Sequence, residues 1–429
     1  MSNAKGFLGL DKVVVDELKE KWAILLIAFI TVIFAFSLPA FAPQNIYDYL
    51  EADFGWSRAQ ITALATSKYL TGFIIAVTVG IVIDKVGVKK VLIVVSAIGA
   101  LAMTAFYFVP NLPTYYMIGI MLGMATTGSI VCLKVLIGRS YEYAVGLAMG
   151  VTLAGMSVGQ MIVPFLINIF VPENDPEGWR IGMLELSLFI WFIAIPTLVF
   201  GLREKQLEHS KQEKSKGGEA NLTWKDLLSE GRFWLIALAV FLVGFVDQAY
   251  IQNARFFLVA DLGITTETYA LVIFWYAMAG IVSRPALGWL IDLISVKGVS
   301  IAYTVLAATS LLALPLAAAG PLMIYLWMVL RGVSHSGVML DSAMLSKHCY
   351  GRHNLGLLIG LLTGIINIGF ATGPVMMGWI SDATGSYNLA HVIYGVLALV
   401  AAGIVLLVKP SYWIASQEER AAKLAEDAA

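Results

Sequence analysis

The sequence predicts an all-α polytopic membrane protein whose twelve transmembrane helices form two pseudo-symmetric six-helix bundles. Of its 429 residues, 59% are hydrophobic and 13% are charged, whereas about a quarter of a soluble domain is charged. The apolar residues fall into runs of about 20, the length at which a helix crosses a hydrocarbon core of about 30 Å. A glycine and aspartate pattern of the first half recurs in the second half. The first two observations predict membrane spans, and the third predicts two equivalent bundles.

The apolar runs set the order of the predicted elements. Spans 1 to 12 are expected at residues 22–42, 59–83, 91–110, 115–138, 144–171, 181–201, 233–254, 269–291, 298–318, 321–345, 354–377 and 389–408. They divide the chain into an N-terminal segment (1–21), a first bundle (22–201), a linker (202–232), a second bundle (233–409) and a tail (410–429). The linker is rich in Lys, Glu, Ser and Gly, which is typical of a flexible connection.

The distribution of Lys and Arg predicts the orientation, because cytoplasmic loops carry an excess of both. If the N-terminus is cytoplasmic, 21 of the 28 basic residues lie in cytoplasmic segments, and the outer loops hold three, Arg58, Arg180 and Arg255. We therefore expect both termini to be cytoplasmic. We also expect a multi-pass monomer in the lipid bilayer of the inner or plasma membrane.

The recurring pattern is an internal repeat. Gly80-Ile-Val-Ile-Asp84 is echoed by Gly288-Trp-Leu-Ile-Asp292, 208 residues later. At nearly the same shift, further glycines and one proline match in order: Gly72 and Gly280, Gly123 and Gly332, Gly128 and Gly337, Gly146 and Gly356, Gly150 and Gly360, Gly159 and Gly369, Pro164 and Pro374. Glycines at four-residue spacing allow helices to approach closely. Two parallel six-span repeats are typical of secondary transporters.

The first copy of the repeat carries a family motif. Gly80-x-x-x-Asp84-Lys-x-Gly87-x-Lys89-Lys90 resembles the loop 2–3 motif of the major facilitator superfamily, and the resemblance covers nearly the whole chain. Phe54-Gly-Trp56-Ser57, Gly146-Leu-Ala-Met-Gly150 and Ser283-Arg284-Pro285 are similar to the monocarboxylate and oxalate/formate branches.

The resemblance implies a small organic anion as substrate and an arginine in span 8 that engages its carboxylate, a position that Arg284 matches. It also implies that the loop 2–3 motif gates the conformational change, and we assign this role to four residues: Asp84, Lys89, Lys90 and Asp292. Two features depart from these branches. In these branches an aspartate often pairs with the arginine, and Gly280 occupies that position here. The resemblance to oxalate exchange implies a second site at a lysine in span 11, and this span contains no lysine.

Charged residues inside the spans are functional candidates, because a charge at the bilayer centre costs about 2.5–3.5 kcal/mol on insertion scales. Arg284 lies eight residues before Asp292, about 12 Å deep, and Arg331 lies about 15 Å into span 10. His335 follows Arg331 on the same helical face. Asp247 falls inside span 7, and the alternatives for it are a proton carrier or a salt bridge to Arg284 or Arg331.

We accordingly predict a substrate site and a coupling site. The predicted substrate-binding residues are Arg284, Arg331, Lys68, Tyr276 and Tyr250, and the predicted proton-coupling residues are Asp247 and His335. Lys134 is placed at the edge of its span, where its stem could snorkel to water. When the charged residues near the ends of the spans are left out of the count, two arginines and one aspartate remain inside the spans. Their net positive charge favours a monoanionic substrate.

These observations predict a secondary transporter for a mono- or dicarboxylate, coupled to a proton as a symporter. The alternatives are an oxalate/formate-type exchanger, with a counter-anion as coupling ion, and an efflux carrier in which Phe274, Trp275 and Tyr276 line an apolar pocket. An integral membrane enzyme is disfavoured because we find no catalytic, metal-binding or nucleotide-binding motif, and a non-transporting sensor is disfavoured too. We expect no cofactor, no metal, no catalytic residues and no nucleic-acid partner.

Overall fold

The computed structural model describes residues 12–56, 58–171, 177–202, 224–255, 257–258, 262–313, 321–351 and 355–412. Most of the predicted linker and tail and the first eleven residues lie outside these ranges. Within them the chain is helical, and the assigned elements include no strand. The predicted all-α class is confirmed.

Twelve long helices follow one another in the described part of the chain. They are α1 (Trp22–Ile46), α2 (Arg58–Val86), α3 (Val88–Phe108), α4 (Leu112–Ser140), α5 (Val145–Phe170), α6 (Gly178–Gly201), α7 (Gly231–Arg255), α8 (Thr266–Leu293), α9 (Val296–Leu312), α10 (Pro321–Tyr350), α11 (Leu355–Thr384) and α12 (Tyr387–Leu407). Three short helices, Lys12–Glu20, Tyr47–Phe54 and Trp224–Ser229, accompany them.

The helices meet the requirements for crossing a membrane to different degrees. Among the described residues, ten are long and apolar enough. An eleventh, α10, consists of two segments, Met323–Val338 and Leu340–Tyr350, bent by 40° relative to each other. The twelfth, α9, is an apolar helix of 17 residues, and residues 314–318 of the predicted span 298–318 lie outside the described residues. All twelve predicted spans therefore coincide with apolar helices.

Local sequence signals fix several helix boundaries. Asn111 caps α4 by accepting a hydrogen bond from the Thr114 backbone N–H, and Ser295 caps α9 through the Gly298 N–H. Such caps satisfy backbone donors that the first helical turn leaves free. Gly87 separates α2 from α3 with φ of 99°, a backbone conformation that glycine adopts without steric penalty.

The hydrophobic core shows how the two halves are joined. One cluster lies within the first half, including Leu38 and Trp179, and another lies within the second half, including Tyr250 and Tyr394. A third and larger cluster contains residues of both halves. Its members include Ile83, near the end of α2. We call this end of the bundle, where α2, α4 and α8 end and α5 and α11 begin, the linker face.

Candidate functional site

A cavity of about 210 Å³ lies between the two halves. It is lined by residues of α1, α2, α4 and α5 from the first half and of α7, α8, α10 and α11 from the second. Lys68, Lys134 and Arg284 contribute basic groups, and His335 contributes an imidazole. No Asp or Glu belongs to the described lining. The cavity is therefore an electropositive space enclosed by both bundles.

Arg284 lies on the wall where α8 meets α5, and its side chain is 2% exposed. The guanidinium donates one hydrogen bond to the Leu153 carbonyl at 3.1 Å and another to the Ser157 hydroxyl. Its Nε atom is buried without a hydrogen-bond partner. The ion pairs found among the described residues do not include Arg284. A buried guanidinium with neutral partners retains the capacity to bind a carboxylate.

Arg331 and Asp247 form a buried ion pair behind the cavity wall. Arg331 Nη2 lies 3.0 Å from Asp247 Oδ1, and both side chains are almost fully buried. The second carboxylate oxygen lies 2.7 Å from His335 Nδ1. Of the alternatives open for Asp247, the structure shows the salt bridge to Arg331. His335 connects this pair to the cavity, because its ring also belongs to the lining.

Two predicted tyrosines, Tyr250 and Tyr276, lie next to the cluster formed by Arg331, Asp247 and His335. The Arg331 guanidinium lies 5.5 Å from the ring centroid of Tyr250, a cation–π arrangement. Tyr276 lines the cavity, and its ring centroid is 5.7 Å from that of His335. Its neighbours Phe274 and Trp275 are 43% and 49% exposed, so they face away from the cavity, and only Tyr276 of the three belongs to its described lining.

Two cationic residues of the first half, Lys68 and Lys134, line the cavity. Lys68 lines the cavity and donates a hydrogen bond to the Ala40 carbonyl at 3.2 Å. Lys134 also lines the cavity but is 3% exposed, and its ammonium donates to Ser342 of α10 at 2.7 Å. The prediction that Lys134 snorkels to the aqueous edge is wrong, because α10 covers this side of α4.

At the linker face, α2 is joined to α11. The Asp84 carboxylate pairs with Arg139 through one oxygen. Its other oxygen accepts a hydrogen bond from the Leu357 backbone N–H at 3.0 Å. Asp84 thus caps the first turn of a helix in the other half. The backbone of Gly80 packs directly against Gly356, since a Cβ on Gly80 would overlap the Gly356 carbonyl.

The corresponding junction joins α8 to α5. Asp292 accepts hydrogen bonds from the Gly146 and Leu147 backbone N–H groups, both at 2.8 Å. Gly288 packs against the Gly146 carbonyl in the same backbone contact that Gly80 makes with Gly356. Negative charge at a helix N-terminus is stabilising. Each aspartate therefore caps a helix of the other half at the linker face, and Asp84 forms an additional ion pair with Arg139.

The remaining gating candidates contact other groups. Lys89 donates hydrogen bonds to the Val199 and Leu202 carbonyls at the end of α6, within its own half. Lys90 is exposed. The cationic partner of Asp84 is Arg139, which the sequence analysis did not select. Arg139 is the final basic residue of α4. The loop 2–3 motif does not include it and therefore does not indicate that it pairs with Asp84.

The helix Lys12–Glu20 adds a further contact at the linker face. Glu17 accepts hydrogen bonds from the backbone N–H groups of Glu142, Tyr143 and Ala144, just before α5. Burial raises the pKa of Glu17, but hydrogen bonds from Lys21 and from the Glu142 and Ala144 N–H groups outweigh it and hold the pKa below its usual value. The carboxylate therefore binds this loop in its ionised form.

Two helical halves that enclose a polar cavity and close it at one face define a membrane transporter of the alternating-access type. The chain belongs to the Major Facilitator Superfamily, whose model matches residues 24–260 and 252–426. Its family and relatives are transporters and not enzymes.

Named relatives and one solved structure agree with this assignment. Monocarboxylate transporter 10 of Homo sapiens is 24% identical over 369 residues, covering 80% of this chain and 67% of the relative. The probable sulfoacetate transporter SauU of Cupriavidus necator is 25% identical over 372 residues, covering 80% of this chain and 83% of that protein. The proton:xylose symporter XylE, solved with 6-bromo-6-deoxy-D-glucose bound, superposes with a TM-score of 0.72 at 12% identity, covering 90% of this chain and 95% of that one.

Proposed function

We propose that the protein carries a small organic anion across the membrane and that the proton is its coupling ion. The observation that supports this proposal best is the charge of the cavity. Three basic side chains line it, while Asp247 is already paired with Arg331 and Asp341 already accepts hydrogen bonds from Ser300 and Tyr303. A cavity of this composition stabilises an anion and repels a cation.

Arg284 is the group we assign to the substrate's acidic headgroup. Its Nε atom has no partner, and its hydrogen bonds go to a carbonyl and a hydroxyl. A carboxylate or sulfonate offers charged oxygens that bind a guanidinium more strongly than these neutral acceptors do. The names of two relatives, a monocarboxylate transporter and a sulfoacetate transporter, also designate acids.

Proton coupling is assigned to His335 together with Asp247. When both ring nitrogens of His335 carry protons, the positive charge lies beside the cavity and next to the Asp247 carboxylate. A bound anion then favours protonation, and protonation favours anion binding, as reciprocal linkage requires. XylE, a structural neighbour, is itself described as a proton symporter.

The orientation and location follow from the charge distribution along the sequence. We propose that the linker face is cytoplasmic and that the protein lies in the inner or plasma membrane. The cavity is closed toward the linker face by Asp84 and Asp292. On this assignment the cavity is closed on its cytoplasmic side. A single chain encloses the cavity, so we expect a monomer to transport.

Uptake into proteoliposomes tests the proposal. A panel of organic acids is compared with their neutral amides and with hydrophobic cations, each with and without an inward proton gradient. We expect accumulation of at least one acid, stimulation by the gradient, and no uptake of the amides. Acid transport that needs a counter-anion and ignores the gradient would support exchange. Export of hydrophobic cations without acid transport would refute the proposed substrate class.

A further inference from the structure

Lys134 is a buried ammonium at the deep end of the cavity. It is 3% exposed and still belongs to the cavity lining. Its hydrogen-bond acceptor is the Ser342 hydroxyl at 2.7 Å. The ion pairs formed among the described residues do not include Lys134.

Asp341, next to Ser342 on α10, attracts Lys134 electrostatically but forms no direct ion pair with it within the described residues. Asp341 precedes Ser342 and accepts hydrogen bonds from Ser300 and Tyr303 of α9. A neutral hydroxyl offsets only part of the cost of burying a charged ammonium. Lys134 is attracted by Asp341, but its direct hydrogen-bond acceptor is a neutral hydroxyl, which an acidic group of a substrate could replace.

Lys134 and Arg284 lie on different walls of the same cavity. Lys134 projects from α4 and is bonded to α10, whereas Arg284 projects from α8 and is bonded to α5. Measured along their helices, Lys134 is five residues, about 8 Å, from Arg139, and Arg284 is eight residues, about 12 Å, from Asp292. Both basic groups thus lie in the part of their helices nearer the linker face, and both line the same cavity of about 210 Å³.

We infer that the cavity has two anion subsites and that the substrate carries two acidic groups. Arg284 binds one group, and Lys134, with the hydroxyl of Thr363 close by, binds the other. The substrate class is a short-chain dianion, either a dicarboxylate or a molecule with one carboxylate and one sulfonate. This inference rests on the proposed function and replaces the monoanion expected when Lys134 was placed at the membrane edge.

The second subsite also links substrate binding to the closed state. Lys134 belongs to the first half and Ser342 to the second. An acidic group that binds the ammonium competes with the Ser342 hydroxyl. Binding therefore weakens a hydrogen bond between the halves just below the cavity. A ligand shifts a conformational equilibrium by such differential contacts.

The test compares acids that share a carbon chain and differ in one acidic group: malonate with propionate, succinate with butyrate, and glutarate with valerate. Counterflow into proteoliposomes is measured at pH 7, where both carboxylates are ionised. For at least one pair, the wild-type protein should half-saturate at a concentration of the dianion at least about tenfold lower than that of the monoanion, the effect of roughly one buried charged hydrogen bond.

Lys134→Gln removes the charge but can still donate to Ser342. It should abolish most of the preference for the dianion while monoanion transport persists. Lys134→Arg should retain the preference, and so should Ser342→Ala, which leaves the ammonium in place. Thermal unfolding of each purified variant separates a folding defect from a change in specificity. If Lys134→Gln fails to fold, Lys134→Arg still tests whether a positive charge at this position is sufficient for the preference.

Two results would overturn the second subsite: a wild-type protein that prefers the monoanion in every pair, or a dianion preference that survives Lys134→Gln. Neither result affects the proposed function, which requires only that organic anions are carried and that Arg284 is needed. Conversely, a protein that transports none of these acids contradicts the proposed function itself.

Discussion

The two junctions between the halves share one construction and differ in the charged residues around it. In α2–α11 and in α8–α5, two glycine-containing helix faces make backbone contact, and an aspartate caps the helix of the other half. One turn or two deeper, however, the repeat positions diverge. Arg284 of α8 matches Ala76 of α2, a fully buried apolar residue that packs against Gly360.

This difference separates the scaffold from the substrate site. The α2–α11 junction holds the halves together with apolar packing and a capping charge. The α8–α5 junction makes the same contacts and also carries a cation that faces the cavity. A substrate bound to Arg284 therefore acts directly on one junction and only indirectly on the other.

The largest effect is expected from filling a backbone contact. Gly80→Val and Gly288→Val should both prevent the linker face from closing, since each added Cβ overlaps a backbone carbonyl, and overpacking costs about 1–3 kcal/mol or more. Distances between spin labels at V86C and I294C, two exposed positions at the linker face, should lengthen. The native cysteines, Cys132 and Cys349, are buried.

Gly403→Val is the matched control, because the space around the Gly403 Cβ position is empty within 4 Å. It should leave the label distances unchanged. If Gly80→Val and Gly288→Val behave like this control, the backbone contacts do not determine closure, and the proposed equivalence of the junctions is lost.

Removing the capping charges should have a smaller effect. Asp84→Asn and Asp292→Asn each weaken a cap, which contributes about 1 kcal/mol. Asp84→Asn also loses the ion pair with Arg139, so we expect it to shift the label distances more. Combining Asp84→Asn with Arg139→Gln should add little to Asp84→Asn alone, because the two residues share one interaction. Full additivity would show that the pair is not coupled.

The smallest effect is expected at Glu17. Because its pKa is lowered in the folded protein, its contribution to stability is present above about pH 4.5 and is lost as the pH falls through the folded pKa. At pH 7, Glu17→Gln should increase hydrogen exchange in residues 141–147 by about tenfold or less. Glu20→Gln, an exposed change on the same helix, should have no effect. Equal hydrogen exchange in both variants would show that Glu17 does not hold the loop before α5.

The sequence was sufficient for most of the fold. Long apolar runs predict helices because backbone groups must be satisfied internally in lipid, and all twelve runs coincide with helices. The repeat also located Asp84 and Asp292. It could not show that each caps a helix of the other half, because such partners are distant in sequence. Arg139 was missed for the same reason.

The site was predicted less completely. Arg284 was selected by its depth in span 8, and the structure places it around one cavity with three other predicted residues, Lys68, Tyr276 and His335. Lys134 was set aside because its depth was judged along its own helix, whereas its burial comes from α10. Phe274 and Trp275 do not line the predicted apolar pocket, because their positions on the helix direct both side chains away from the cavity.

Counterflow by Arg284→Gln tests the central claim most directly. The protein should lose at least about a hundredfold of its organic-acid transport, because a charged contact at a desolvated site contributes about 3 kcal/mol. Lys297→Gln, a charge-removing control at the linker face whose lysine bonds to the Leu406 carbonyl, should transport like the wild type. Transport by Arg284→Gln at the control rate would contradict the assignment of the substrate to the α8–α5 junction.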